Sequence, residues 1–317
     1  MRRGESGINC LLAVDKPIGP SSHDMVGRVR RALGERRVGH AGTLDPAASG
    51  VLVVGVGQGT RLMGMLTLDE KAYEARIVFG SETDTDDAEG AVVRTADVPD
   101  CLRDEVEARR VVASLVGTHQ QVPPAFSAIS VDGRRAYDRA RSGEEVTLAA
   151  RPITVHEASL LGVEDGDEVA WSVCLRVSKG TYVRSIARDL GRALGCAAHL
   201  GGLRRVSSGP VGIDSCVTVD ELDTMGPAIV GERCLDPIAA LGYAFRSLGA
   251  SELEDVRCGR RVDAGLCVDQ EGTVRPPRQG EAVSLVSGGM LVGVWRRDGS
   301  TLHCEANFPS GITGVGR

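Results

Sequence analysis

Residues 38–62, VGHAGTLDPAASGVLVVGVGQGTRL, join a glycine-rich turn to a short apolar run, and that junction limits what the chain can become. Pro46 fixes its own φ and turns Asp45 away from helical geometry, while Gly39, Gly42 and Gly50 admit backbone conformations that larger residues resist. The β-branched run 51–54 that follows reads as a buried strand, so Asp45 stands on a loop anchored to scaffold. Asp-Pro is also common turn chemistry, so the pattern needs support from elsewhere in the chain.

Residues 55–60 look like a dinucleotide loop, but the third glycine of G-x-G-x-x-G would fall on Thr60, and no G-K-[S/T] phosphate loop occurs. These glycines read as a turn after the strand. With 317 residues, 42% of them hydrophobic, the chain can bury a large core and divide into a larger and a smaller domain. No apolar run reaches membrane-spanning length, and the start of the chain has no continuous hydrophobic segment, so a cytoplasmic protein without a membrane partner is expected. Nine scattered cysteines include no C-x-x-C pair, and six histidines include no H-x-x-x-H pair. Reduced, packed thiols and no metal are expected.

A net charge of −6 conceals segregation. Residues 171–210 carry Arg176, Lys179, Arg184, Arg188, Arg192, Arg204 and Arg205 against Asp189 alone, whereas residues 82–107 carry ten acids against Arg94 and Arg103. One basic face and one acidic face are expected, and local positive potential is what attracts a phosphate backbone. A merely solvated charged face is the alternative.

The secondary-structure pattern is α+β. Strands are expected at 9–14 and 72–79, paired strands at 153–161 and 169–177, and helices at 22–33, 100–116 and 182–194. Residues 121–149 are too long for an ordinary connection, and loops of that size usually have a function. Beyond Leu235-Asp236-Pro237 come short strands at 261–262, 282–286, 290–295 and 301–305, a small β-rich domain. The expected domains are therefore 1–237, with the insertion at about 121–149, and 238–317.

Four separated pieces need one explanation: the Asp45 turn, Lys71-Ala72-Tyr73-Glu74, the run 178–184 (SKGTYVR), and Leu203-Arg204-Arg205. With Asp15-Lys16-Pro17, Gly19 and Ser21-Ser22, they closely resemble the bacterial tRNA pseudouridine-55 synthases, in order and spacing, over residues 8–237. The resemblance implies a mixed-sheet pseudouridine synthase core with a thumb loop at 121–149, followed by a PUA-like RNA-binding domain. It implies a tRNA T-arm substrate, with no cofactor. A stand-alone monomer without an obligate protein partner is the expected state.

By the same resemblance Asp45 is the nucleophile. Arg184 pairs with it, and a guanidinium fork suits a carboxylate and favours its ionised form. Tyr73 stacks on the target base and helps take the proton from carbon 5. Tyr182 and Leu203 border the uracil. His40 fills the gap left by the flipped base. Arg134, Arg135, Arg139 and Arg141 of the thumb grip phosphates. The chemistry breaks the bond from ribose to nitrogen 1, turns the base and rejoins it through carbon 5, so no atoms are gained or lost. A carboxylate can serve as nucleophile or as acid-base group. Attack on ribose, attack on base and proton removal stay open, with glycosidic cleavage favoured. Two rival readings are a tRNA-folding module with vestigial catalysis and a guide-RNA-dependent synthase.

Overall fold

The computed structural model describes residues 6–316 except 67–69, 128, 129, 132, 133, 136, 138, 140, 141, 143 and 145–147. In chain order the elements that matter are β1 (Cys10–Lys16), α1 (Ser22–Leu33), β2 (Val38–Ala41), β3 (Ala48–Val56), β4 (Lys71–Phe79), α2 (Glu105–Ala113), β5 (Gly117–Gln121), β6 (Arg151–Asp165), β7 (Val169–Val177), α3 (Val183–Ala193) and β8 (Ala198–Ser208). A C-terminal sheet follows, built mainly on β9 (Ala244–Ser247), β10 (Ala282–Ser287), β11 (Met290–Asp298) and β12 (Thr301–Ile312). The chain packs as two units: residues 1–46, 50–68 and 207–317 form the first, and residues 47–49 and 69–206 the second.

In the first unit β1 runs antiparallel to β3, with Leu12 opposite Val54 and Ala13 opposite Val53, and parallel to a short strand Cys216–Val217. Side chains alternate across a strand, and here both faces are covered. Cys10, Leu12, Val14, Leu52 and Val54 pack with Met25, Val26, Val29 and Leu33 of α1. Leu11, Ala13, Val51 and Val53 pack instead with Val286, Leu291, Phe308 and Ile312 of the C-terminal sheet. The apolar run 51–54 is continuous because neither face meets water. Helix α1 starts where Ser21 and Asp24 form a capping box and stops at Gly34, whose φ of 62° suits glycine.

Three local expectations change. Residues 38–41 form a strand paired with β3, His40 opposite Val54, so His40 is a strand residue and not a turn residue. Gly39 needs no unusual φ there, while Gly42 and Gly50 have φ of 76° and 104°. Gly55 ends inside β3, and Gly57–Leu62 is a 3-10 turn. Its glycines serve close backbone packing: a Cβ on Gly57 would collide with the Ile8 carbonyl, and one on Gly59 with the Cys10 carbonyl.

The second unit holds an ordered sheet β8-β4-β7-β6-β5, with β4, β7, β6 and β5 successively antiparallel. Strand β7 is buried at every other position or better, and Trp171 at its start is fully buried, donating Nε1–H to the Leu102 carbonyl at 2.8 Å. The helix expected over 100–116 splits in two. The Asp104 carboxylate accepts the Val106 and Glu107 N–H groups, and so caps α2 and separates it from the 3-10 turn Asp100–Arg103.

The C-terminal sheet has seven strands, and its four main strands run in the order β12-β11-β10-β9. Strands β10, β11 and β12 are antiparallel to one another, and β9 lies parallel to β10. This mixed core with helices, followed by a β-rich PUA-like part, is the expected α+β class. None of the nine cysteines is in a disulfide, and five are buried. Burial pushes the Cys10 thiol up to about 12, with Cys234 adding to the shift.

Candidate active site

The turn that presents Asp45 is held on both sides. Ser22, buried in the first turn of α1, donates its hydroxyl to the Leu44 carbonyl and accepts the Leu44 N–H, each at 2.9 Å. On the other flank the Pro46 carbonyl accepts the Gly19 N–H at 2.9 Å and the Lys16 Nζ at 3.4 Å. Lys16 is fully buried, its ammonium also bound to the Pro17 carbonyl at 2.8 Å. A buried ammonium needs such oxygen partners. Leu44 is itself buried, while Asp45 between the two anchors is half-exposed. The backbone that carries Asp45 thereby has little freedom to move. The motif residues Lys16, Gly19 and Ser22 are the fasteners of that turn.

The other candidates lie in the second unit. Tyr73, near the start of β4, is 7% exposed and stands opposite Leu175 of β7. Leu203 is half-buried on β8, the neighbour of β4. Tyr182 is the cap residue of α3, and Arg184 sits in the same helix's first turn. Gln121, 3% exposed, clasps the cap: its Nε2 donates to the Tyr182 carbonyl at 3.0 Å and its Oε1 accepts the Tyr182 N–H at 2.9 Å. Sequence reading had placed Gln121 only at the edge of the thumb. His40 and Asp45 thus belong to the first unit, and Tyr73, Tyr182, Arg184 and Leu203 to the second.

Arg184 is held by groups that sequence reading did not single out. Its Nη1 donates to the Thr85 carbonyl at 3.0 Å and to Asp87 Oδ2 at 3.3 Å, and its Nη2 donates to the Phe126 carbonyl at 3.1 Å. Both side chains of the Arg184–Asp87 pair are about nine-tenths buried. Asp87 is fixed in turn, its Oδ1 accepting from Thr85 Oγ1 at 2.6 Å and from the Glu89 N–H at 3.1 Å. Gly90 closes this turn because a Cβ there would strike the side chains of Thr85 and Asp84. The available signal was the string TDTDDAEG, in which threonines and a glycine bracket acids in turn-like, not helical, order.

Part of the charge segregation seen along the chain is taken up by internal pairing, which removes several arginines and acids from any wholly basic or wholly acidic face. Arg184, Arg188 and Arg192, spaced four apart on α3, meet Asp87 at 3.3 Å, Asp86 at 2.7 Å and Glu82 at 2.7 Å. Arg94 joins Glu82 at 2.6 Å, and Arg176 at 3.1 Å from Glu70 also pairs with Glu157. Burial, the largest influence on Glu82, raises its pKa, but the combined bonds from Arg192 and Arg94 outweigh it and hold the carboxyl below its ordinary value. In the thumb, Arg139 bonds Glu144 at 2.9 Å, while Arg141 and the side chains of Arg134 and Arg135 lie outside the described residues.

Among the described residues, no cluster of His, Cys, Asp or Glu has the geometry of a metal site, and no helix is long and apolar enough to cross a membrane.

Residues 30–183 match the family described as TruB family pseudouridylate synthase, N-terminal domain, and residues 184–230 match the tRNA pseudouridylate synthase B C-terminal domain. A Thermobifida fusca protein named tRNA pseudouridine synthase B is 48% identical over 260 residues, 80% of this chain and 86% of that protein. One of the same name from Cutibacterium acnes is 42% identical over 286 residues, 89% of this chain and 92% of that one. Among solved structures, a Cbf5-Nop10-Gar1 complex aligns with a TM-score of 0.68 at 23% identity, covering 96% of this chain and 86% of that one, a likeness of fold.

Proposed function

This chain belongs to the TruB family of pseudouridylate synthases, and from that premise we propose that Asp45 is the nucleophile with which it converts uridine to pseudouridine. The activity is that of a tRNA pseudouridine-55 synthase, an isomerase acting on tRNA. One observation supports the role of Asp45 above others. The residues on either side of it are fastened, Leu44 by Ser22 and Pro46 by Gly19 and Lys16, so the carboxylate is positioned before substrate arrives.

In this reading the uridine of the T-arm leaves its stack, and His40 occupies the space it vacates. The carboxylate of Asp45 assists cleavage of the bond from ribose to nitrogen 1. The base stays in the pocket, turns, and reconnects through carbon 5, which gives up its proton while nitrogen 1 takes one. Tyr73 stacks on the uracil and helps remove that proton, and Tyr182 and Leu203 border the ring. Arg184, held by Asp87, pairs with the Asp45 carboxylate. The catalytic part is residues 1–237 and the RNA-binding part residues 238–317. The enzyme works as a monomer in the cytoplasm, without an obligate protein partner.

Unmodified tRNA incubated with the protein and mapped by carbodiimide-dependent primer extension is expected to carry one pseudouridine in the T-loop. Asp45→Asn abolishes it. Product formed by the Asp45→Asn protein at the wild-type rate would remove Asp45 from the role of nucleophile. Tight binding without product in the wild type would make the chain a tRNA-folding module.

A further inference from the structure

We propose that Asp86 and Arg188 are a positioning pair for Arg184, fixing the turn at 85–87 in the one conformation that presents its acceptors to that guanidinium. The inference deepens the reading above, because it rests on Arg184 acting at Asp45.

Among the described residues Asp86 alone of the non-glycines has positive φ, 62°. An L-residue resists this region, although aspartate enters it more readily than most. The residues on either side of it serve Arg184: the Thr85 carbonyl at 3.0 Å and the Asp87 carboxylate at 3.3 Å both meet Nη1. Asp86 itself reaches the next turn of α3, where its Oδ2 takes Arg188 Nη1 at 2.7 Å. Two carboxylates adjacent in sequence thereby engage two guanidiniums one helical turn apart.

Arg188 is as fully engaged as Arg184. Its Nε donates to Asp189 at 2.8 Å and its Nη2 to the Val122 carbonyl at 2.8 Å. Arg184 takes the Phe126 carbonyl from the same stretch of chain, so both arginines tie the 85–87 turn to residues 122–126. The Asp86 and Arg188 side chains are only 9% and 11% exposed. A buried ion pair is weak support for stability, since apolar residues of similar volume often do as well, and its best attested use is to fix register. Here the register it fixes is that of the segment that feeds Arg184.

The test compares single-turnover pseudouridine formation, the Kd for an unmodified tRNA transcript and the melting temperature in six proteins: wild type, Arg184→Lys, Asp86→Asn, Asp86→Gly, Arg188→Gln and the double variant Asp86→Asn/Arg188→Gln. Asp86→Asn and Arg188→Gln are each expected to slow turnover about tenfold with Kd changed by less than about twofold, and the double variant to be no slower than the slower single one. Asp86→Gly, which keeps positive φ without a carboxylate, stays slow. Turnover at the wild-type rate with only a lowered melting temperature would show a structural pair and overturn the proposal, as would full recovery in Asp86→Gly. Wild-type turnover in Arg184→Lys overturns the reading of Arg184 and this one with it. A slow Arg184→Lys beside fast Asp86→Asn and Arg188→Gln overturns the positioning pair alone. If Asp86→Asn does not fold, Arg188→Lys carries the same prediction, because an ammonium cannot bridge Asp86, Asp189 and Val122 together.

Discussion

Ser22 and Leu44 are joined twice, the serine hydroxyl donating to the leucine carbonyl and accepting its N–H, both at 2.9 Å. Each of the two bonds satisfies a buried main-chain group one residue before Asp45, so a side chain of α1 determines where the carboxylate points. Ser22→Ala strands a buried donor and a buried acceptor, at a cost of about 1–3 kcal/mol for a group left unsatisfied. We expect urea unfolding to register that loss. On the proposed role of Asp45, single-turnover pseudouridine formation should fall about tenfold, since a misplaced nucleophile forfeits orientation. Unchanged turnover in a measurably less stable Ser22→Ala protein would separate the fastening from the chemistry.

Gln121 offers a second test of pre-organisation, at the cap of α3. Its amide acts as donor to the Tyr182 carbonyl and acceptor from the Tyr182 N–H, at 3.0 and 2.9 Å. Glutamate has nearly the same shape but cannot donate when ionised, so Gln121→Glu sets two acceptors against each other in a buried place. About tenfold slower turnover is expected, equivalent to roughly 1.4 kcal/mol in the barrier. The variant should recover as pH falls and the glutamate gains a proton that it can donate, whereas Gln121→Met should be slow at every pH. A pH–rate profile of the three proteins decides the point.

Much of the scaffold was legible because periodicity and caps are local properties. Ser21 with Asp24, Val26, Val29 and Leu33 mark α1 without reference to any other part of the chain. The pairing of 153–161 with 169–177 follows from two β-branched runs across a polar turn, and the structure extends the first to Arg151–Asp165 as β6 while β7 keeps the expected bounds. Strand β2 was hidden because four residues with one glycine inside and Gly42 directly after carry too little pattern to mark a strand. The acid and arginine blocks were visible, but their mutual neutralisation was not, because Asp87 and Arg184 are 97 residues apart. A charge in sequence gives its sign and not its partner. The fixed turn around Asp45 was legible through Pro46 and its glycines, and the bond from Arg184 to Asp87 was missed because Asp87 looked like one acid among ten.

The glycines at 57 and 59 make a distinct prediction about what the GVGQG string does. A Cβ at Gly59 would drive into the Cys10 carbonyl of β1. Gly59→Ala should therefore destabilise the protein by about 1–3 kcal/mol, as crowding of a packed core does. Urea denaturation gives the measurement. If the string instead cradled a nucleotide, an added dinucleotide would raise the melting temperature of the wild type by mass action. We expect no such rise, and a rise lost in Gly59→Ala would restore the dinucleotide-loop reading.

The C-terminal sheet has a pH signature that can be worked out from one pair. Arg275 grips Glu281 through two bonds, Nη2 to Oε1 at 2.7 Å and Nη1 to Oε2 at 2.9 Å, while the Arg278 N–H adds a third at 2.5 Å. The Arg275 bonds lower the Glu281 carboxyl from 4.5 to about 2, against a smaller opposing effect of burial. A depressed folded-state pKa means that the unfolded chain binds the proton more readily. Stability from this pair is therefore complete above pH 4.5 and is lost as pH falls toward about 2. Because the pair is partly solvated, screening reduces its worth well below what the shift alone suggests. Glu281→Gln keeps the shape and cannot titrate. Denaturant midpoints taken across this window should fall more steeply with acid for wild type than for Glu281→Gln, and the two curves should converge at the acid end. Parallel curves would mean that Glu281 is already as easily protonated in the folded sheet as in the unfolded chain, and that the fork from Arg275 contributes nothing to holding β10 and its neighbours together.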